Sequence, residues 1–338
     1  MRIDFTAFCS GKFRGLRRLR LSHAGALASG AITAMALCSV SLTATAYQYD
    51  LRAPAVETDT AAADTATTYA GGALNPSPGC GKVNPRTGVF TLTTTDGANR
   101  TRSFLVSVPT VYNPNNGYAL SFVYHGAGGN SAEAYGWGLQ NVSGSNEHGI
   151  FVYPQGINYQ NYGIGWDDTT KGYDLPFYDH MVKAVEAGWC VNTKRIFAAG
   201  FSWGGDFVTA LTCNRGNLIR AVAVNSATDE YNVKSDYRTY ANLPCASATH
   251  SAMRYVHAIG GDSAYPSPLF GTTSALYRSL NTCAATSTAS YSSTSVMTCV
   301  SHNSCSAQYI ECSFNANLGH ALPPNWASDT WAYFQTFR

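Results

Sequence analysis

The chain predicts an α/β fold, a mostly parallel sheet with helices on both faces. Two observations carry that expectation. Apolar strand-like runs alternate with helical patterns through most of the chain. The residues that look chemical follow the carboxyl ends of those runs, which is where ligands bind in such sheets.

The elements run in this order. Phe104-Leu105-Val106-Ser107-Val108 and Ala119-Leu120-Ser121-Phe122-Val123-Tyr124 read as strands. Gly149-Ile150-Phe151-Val152-Tyr153 is a third, closed by Pro154-Gln155-Gly156. Leu175, Phe177, Tyr178, Met181, Val182 and Val185 then recur at helical spacing up to Gly188. The strand Arg195-Ile196-Phe197-Ala198-Ala199 leads into Gly200-Phe201-Ser202-Trp203-Gly204, and a helix leaves from Gly205 to about Thr212. Further strands are expected at Ile219 to Val224, Arg254 to Ile259 and Tyr309 to Phe314. Pro323-Pro324 closes the loop before a terminal helix, Ala327 to Phe337.

The ends of the chain set its organisation. A basic cluster (Lys12, Arg14, Arg17, Arg18, Arg20) precedes an Ala-rich apolar run from Ala24 to Ala46 that closes on Ala44-Thr45-Ala46. Residues 1–46 therefore read as an export signal with a cleavage site before Tyr47. A retained membrane anchor and a twin-arginine signal are the alternatives. Residues 47–79, rich in Ala, Thr and Asp, read as a disordered spacer or pro-segment. One domain is expected from Cys80 to Arg338. The formal charge of +2 on 338 residues includes the basic cluster. Without it the remainder is mildly acidic and offers no footprint for nucleic acid. Once the signal is removed, no membrane association is expected, and the mature protein reads as a monomer.

Ten cysteines are present, two of them (Cys9 and Cys38) in the export segment. The other eight are Cys80, Cys190, Cys213, Cys245, Cys283, Cys299, Cys305 and Cys312. In an exported chain that even number argues for disulfides of undetermined pairing. The competing reading is zinc held by Cys299, His302, Cys305 and Cys312, but there is no Cys-x-x-Cys pair to support it.

Gly200-Phe201-Ser202-Trp203-Gly204 has the form of a nucleophile elbow, with a serine on a tight strand-to-helix turn. A serine hydroxyl needs a base to take its proton, and the base needs a carboxylate to orient it. His320, in a loop after the last strand, is the candidate base. His257 lies mid-strand and reads as packed. Asp262, after the Gly260-Gly261 turn, is the candidate acid, with Asp229 as its rival. Asp206 reads as a helix cap or a solvent-facing residue. The oxyanion needs two fixed N–H donors. Trp203 supplies one, and the turn His125-Gly126-Ala127-Gly128-Gly129 the other, from Ala127 or, failing that, Gly126. Nothing in this constellation requires a metal or a cofactor.

Together these residues resemble the secreted feruloyl esterases of carbohydrate esterase family 1, the fungal-type and type D members above all. The likeness runs from Gly79-Cys80-Gly81-Lys82 to Trp331-Ala332-Tyr333-Phe334. It rests on His125-Gly126-Ala127-Gly128-Gly129-Asn130, Phe151-Val152-Tyr153-Pro154-Gln155-Gly156, Gly165-Trp166, Cys190-Val191-Asn192, the elbow, Gly261-Asp262-Ser263 and Gly319-His320. Where members often carry a His-Gly pair before the acid, this chain has Ile259-Gly260-Gly261. The resemblance implies an α/β-hydrolase fold, the triad Ser202, Asp262 and His320, and a feruloylated polysaccharide or small aryl ester as substrate. Acetylxylan esterases and polyhydroxybutyrate depolymerases share the superfamily, so acetyl esters and polyesters are the alternative substrates. A catalytically silent carbohydrate-binding protein is the more distant reading. A feruloyl ring needs flat apolar walls, and Tyr124, Trp166, Trp203 and Trp326, beside the motif loops, are the candidates, Trp166 foremost.

Overall fold

A computed structural model describes residues 75–83, 85–159, 163–169, 172–228, 251–289, 297–315 and 319–337. The expected export segment, most of the expected spacer, Asp229 and Cys245 lie outside the described residues. The strands are β1 (Gly88–Thr95), β2 (Thr101–Val108), β3 (Tyr118–Tyr124), β4 (Gly149–Pro154), β5 (Ile157–Asn158), β6 (Ile164–Gly165), β7 (Val191–Phe201), β8 (Ala221–Asn225), β9 (Ala252–Ile259), β10 (Ser287–Ala289), β11 (Met297–His302) and β12 (Tyr309–Asn315). The helices are α1 (Ser131–Gly136), α2 (Ser145–His148), α3 (Asp174–Gly188), α4 (Trp203–Arg215), α5 (Ser267–Leu280) and α6 (Trp326–Gln335).

Ten strands form one sheet in the order β1-β2-β4-β3-β7-β8-β9-β12-β11-β10. The six from β4 to β12 run parallel, and the flanks are antiparallel. Each central strand is buried on both faces. Every residue of β3 is buried, as a strand covered by helices on both sides must be. β2 alternates, with Phe104, Val106 and Val108 facing inward and the residues between them partly exposed.

Two apolar layers cover the sheet. On one face Leu120, Phe122 and Tyr124 pack with Phe177, Tyr178 and Met181 of α3, Phe207 and Leu211 of α4, and Phe270 and Tyr277 of α5. On the other, Val123, Phe151 and Phe197 pack with Ala134 of α1 and with Trp331 and Phe334 of α6. Phe197 and Phe334 stack face to face at 4.5 Å. The expected helix on α3 forms because Leu175, Tyr178, Met181 and Val185 fall on one buried stripe.

The start of the domain is corrected by five residues. Residues 75–79 were assigned to the spacer, yet they pack on the sheet. Pro76 bridges Asn192, Ser77 N–H donates to Val191 O at 2.9 Å, and Ser77 Oγ donates to Trp189 O at 2.8 Å.

Cys80–Cys190, Cys283–Cys305 and Cys299–Cys312 are disulfides, and Cys213 is disulfide-bonded as well. The zinc alternative fails because its three sulfurs are all consumed in these bonds. The closed loops span 110, 22 and 13 residues. In chain-entropy terms each bond is worth about 3 to 5 kcal/mol. Among the described residues, no helix is long and apolar enough to cross a membrane.

Candidate active site

β7 delivers the serine. The backbone of Ser202 sits at φ 55°, ψ −130°, and α4 begins at the next residue. That conformation costs a non-glycine residue about 1–3 kcal/mol, and its surroundings hold it there. Ser202 N–H donates to Asn225 O at 3.0 Å, and its carbonyl accepts from Gly205 N–H at 2.7 Å and Asp206 N–H at 3.0 Å. A Cβ at Gly200 would collide with the backbone of Gly204, and one at Gly204 with the backbone of Tyr124, so the turn closes only with glycine at both places. The serine is 8% exposed.

The acid comes from the end of β9. Gly260 and Gly261 turn the chain at φ 82° and 92°. Asp262 then folds back, its side chain fully buried, accepting N–H groups of Ala264 and Tyr265 at 2.8 Å each. Its other oxygen accepts His320 Nδ1–H at 2.9 Å. A carboxylate only accepts, so this bond places the imidazole proton on Nδ1 and leaves the lone pair on Nε2. That nitrogen lies 2.8 Å from Ser202 Oγ. The imidazole is held between the ring of Phe201 at 4.8 Å and that of Tyr265 at 5.6 Å. The three residues singled out in the sequence are thus brought into one contact chain.

The loop 125–129 lies against the serine. A Cβ on Gly126 would sit 3.1 Å from that of Ser202. His125 builds this loop. Its Nδ1–H donates to Gly126 O at 2.8 Å and its Nε2 accepts Gly156 N–H at 3.0 Å. Both bonds suit the neutral ring, and burial lowers its pKa in the same sense. The amides of Ala127 and Trp203 form no hydrogen bond among the described residues. Trp203 is also the first residue of α4, where the helix dipole favours negative charge.

Four expectations are corrected. Trp166 is fully buried, donating its indole N–H to His125 O at 2.9 Å and stacking on Phe207 at 5.7 Å. Tyr124 is fully buried beneath it. Trp326 is 3% exposed and packs edge-on against Trp137. All three support the loops from below and offer no wall to a substrate. Asp206 neither caps nor faces solvent. It is buried and accepts Thr228 N–H and the Tyr265 hydroxyl, each at 2.8 Å.

Of the four expected wall residues only Trp203 stands at Ser202, joined by Phe201 and Tyr159, which sequence reasoning passed over. Phe201 and Trp203, on either side of the serine, are both half-buried. The Trp203 indole covers Gly165 so closely that a Cβ there would collide with it. Tyr159 meets the same indole edge-on at 6.3 Å. Burial, then the Asp167 carboxylate that takes its hydroxyl, push the Tyr159 phenol up to about 12. A cavity of about 730 Å³ opens at the opposite end of the sheet, among Asp179, Lys183, Glu186, Lys194, Arg215 and Arg220. It contains none of these residues, so the contact chain, and not cavity size, locates the site.

No protein-family model matches the chain. Feruloyl esterase D of Neurospora crassa is 34% identical over 166 residues, covering 46% of this chain and 54% of its own length. Feruloyl esterase C of Emericella nidulans is 37% identical over 175 residues, covering 47% and 58%. A probable feruloyl esterase C of Aspergillus niger is 36% identical over 159 residues, covering 44% and 53%. The chain spans about half the length of these curated relatives. Among solved structures, an acetyl xylan esterase from Aspergillus awamori superposes with a TM-score of 0.57 at 14% identity, covering 73% of this chain and 99% of its own. A ferulic acid esterase superposes with a TM-score of 0.50 at 16% identity, covering 74% and 96%. The chain is a relative of the fungal feruloyl esterases, as the motifs implied, and its fold is that of the α/β-hydrolases.

Proposed function

We propose that this protein is a serine carboxylesterase that hydrolyses feruloyl and related hydroxycinnamoyl esters on plant cell-wall arabinoxylan. The observation that carries the proposal is the unbroken contact chain from Ser202 through His320 to Asp262, at 2.8 and 2.9 Å. In the reaction His320 Nε2 takes the Ser202 proton as Oγ attacks the ester carbonyl. Asp262 holds the ring in the tautomer that allows this and stabilises the imidazolium that forms. The amides of Trp203 and Ala127 receive the oxyanion. His320 then protonates the departing sugar oxygen, leaving an acyl-serine. Water, deprotonated by the same nitrogen, releases the acid and restores the serine.

The preference for a flat phenolic acyl group rests on Trp203 and Tyr159. Both are half-buried, Trp203 next to the nucleophile and Tyr159 edge-on to its indole, and each is fixed, Trp203 by Gly165 and Tyr159 by Asp167. The feruloyl esterase relatives support the same choice. The disulfides and the N-terminal segment 1–46 support action outside the cell, and we take the working form to be a monomer.

The test is a set of three substrates: methyl ferulate, acetylated xylan and polyhydroxybutyrate. The proposal expects methyl ferulate to give the highest kcat/KM. A clear preference for either of the others reassigns the acyl group. Ser202→Ala is expected to lower kcat by about 10⁴ to 10⁶, and near-normal turnover by that variant refutes the mechanism.

A further inference from the structure

Tyr265 touches two members of the triad, Asp262 and His320. Its N–H donates to Asp262 Oδ1 at 2.8 Å, and its carbonyl accepts Asp262 N–H at 2.9 Å. Its ring lies edge-on to His320 at 5.6 Å. Its hydroxyl donates to Asp206 Oδ2 at 2.8 Å. Asp206 belongs to the first turn of α4, four residues past the nucleophile, and its other oxygen is occupied by Thr228 N–H.

The acid loop needs such a tether. It leaves β9 through two glycines in left-handed conformations, and Ser263 and Ala264 on it are exposed. The nucleophile belongs to a different unit, the β7–α4 elbow. Catalysis requires the two units to keep their relative position to within a few tenths of an ångström, since a misplacement of about 1 Å costs about 10² in rate. We infer that the Asp206–Tyr265 hydrogen bond locks the acid loop to the nucleophile helix, making Tyr265 and Asp206 positioning residues for the Ser202–His320–Asp262 triad. The inference rests on that triad reading. The chemistry of the pair suits a lock. A bond to a buried carboxylate is among the strong kind, and burial together with the Asp206 charge holds the phenol protonated far above the working pH. The donor therefore never leaves.

The test uses the full-length enzyme and p-nitrophenyl acetate, a substrate too small to report on an aromatic acyl wall. Tyr265→Phe removes one oxygen and keeps the ring on His320 and the N–H on Asp262. It is expected to lower kcat about 10- to 100-fold with KM changed by less than about threefold. Covalent labelling of Ser202 by a p-nitrophenyl phosphonate should slow by the same factor. Asp206→Asn keeps the shape but turns an N–H toward the phenol oxygen, which accepts it, so a neutral bond replaces the charge-assisted one. It should give a loss in the same direction but smaller, and the double variant should be no worse than the poorer single. Tyr255→Phe is the structural control. The Tyr255 hydroxyl donates to Ala227 O at 2.8 Å inside the core, and its loss should lower Tm without moving kcat. If Tyr265→Phe does not fold, Asp206→Asn carries the same comparison. Wild-type kcat in Tyr265→Phe, or losses that multiply in the double variant, overturns the inference. An inactive Ser202→Ala beside a fully active Tyr265→Phe overturns the lock alone, whereas an active Ser202→Ala overturns both readings.

Discussion

At the carboxyl end of β7, Ser202 Oγ meets His320 Nε2, and His320 Nδ1 meets Asp262. Further along the same sheet stands a second group that also joins a serine, a histidine and a carboxylate. His257 on β9 places Nε2 3.0 Å from Glu311 Oε1. Ser274 on α5 donates its hydroxyl to Glu311 Oε2 at 2.6 Å. His302 on β11 lies 3.5 Å from that same oxygen. In the first group the imidazole stands in the middle, with one nitrogen to give and one to receive. In the second the carboxylate stands in the middle, and both serine and histidine point at it. The Ser274 proton has an anion to rest on and no base to take it, and His257 Nδ1 is turned to Ala258 O at 3.1 Å. A serine, a histidine and a carboxylate therefore make the arrangement of the proposed nucleophile in one place and a structural tie in the other. The order of contacts decides which.

The sharpest way to break this comparison is to remove the histidine from each group. His320→Ala is expected to lower kcat on a soluble ester by about 10⁴ to 10⁶. His257→Ala should leave kcat within about twofold while costing roughly 1–3 kcal/mol of stability, because the hydrogen bond it loses ends on a charged group. Steady-state kinetics and denaturant titration of the two variants separate the outcomes. A large kcat loss in His257→Ala would mean that the second group is coupled to the chemistry.

How much of this was legible beforehand follows the physics of each part. The central strands could be read because strands buried on both faces are apolar along most of their length, as β3 is apart from Ser121 and β8 is up to Asn225. β1 was missed because only Phe90 of its eight residues is buried, and Thr fills its exposed face. β10 and β11 were missed for the same reason, lying at the polar edge of the sheet. Ser202, Asp262 and His320, which lie in contact here, could be picked out as candidates because the proposed chemistry demands those types at strand ends in that order. Asp206 was misjudged because its partner, Tyr265, lies 59 residues away, and nothing local announces that bond. Trp166 was misjudged because a position beside a motif loop does not say which side of the loop the ring takes. Its neighbour Gly165 did hold a usable signal. A glycine one residue before a buried tryptophan, on a short strand facing the elbow, marks a place where another ring presses on the backbone.

That ring is Trp203, and it offers a smaller effect confined to the first region. Gly165→Ala puts a methyl group where the indole lies, so the indole must move away from the β5–β6 hairpin and from Tyr159. Its backbone amide, at the start of α4, stays in place. The ratio of kcat/KM for methyl ferulate to that for p-nitrophenyl acetate is expected to fall about tenfold, as a flat ring loses one wall worth about 1–1.5 kcal/mol. Activity on the acetyl ester should hold within about threefold. An unchanged ratio would remove Trp203 from the acyl site and send the search to the Phe201 side of the serine.

The smallest effect belongs to the second region and depends on pH. Burial alone would raise the Glu311 carboxyl, but the hydrogen bonds from His257 and Ser274 outweigh it and bring the pKa down to about 2, against 4.5 for a free side chain. A group depressed in this way binds its proton more readily in the unfolded chain. Its contribution to stability is therefore complete above about pH 4.5 and is lost as the pH falls toward 2. Glu311→Gln has no such proton to bind. At pH 6 the variant should be less stable than wild type by about 1–3 kcal/mol. Between pH 5 and pH 2.5 the two should converge, because only wild type loses this contribution while every other carboxylate titrates in both. Denaturant titration at several pH values reads the gap directly. The rate at pH 7 should stay within about twofold, since Glu311 touches neither Ser202 nor His320. A gap that stays constant down to pH 2.5 would mean that Glu311 titrates alike in the folded and unfolded chain. The tie would then be a matter of shape alone, and its contrast with the proton-moving order at Ser202 would no longer be electrostatic.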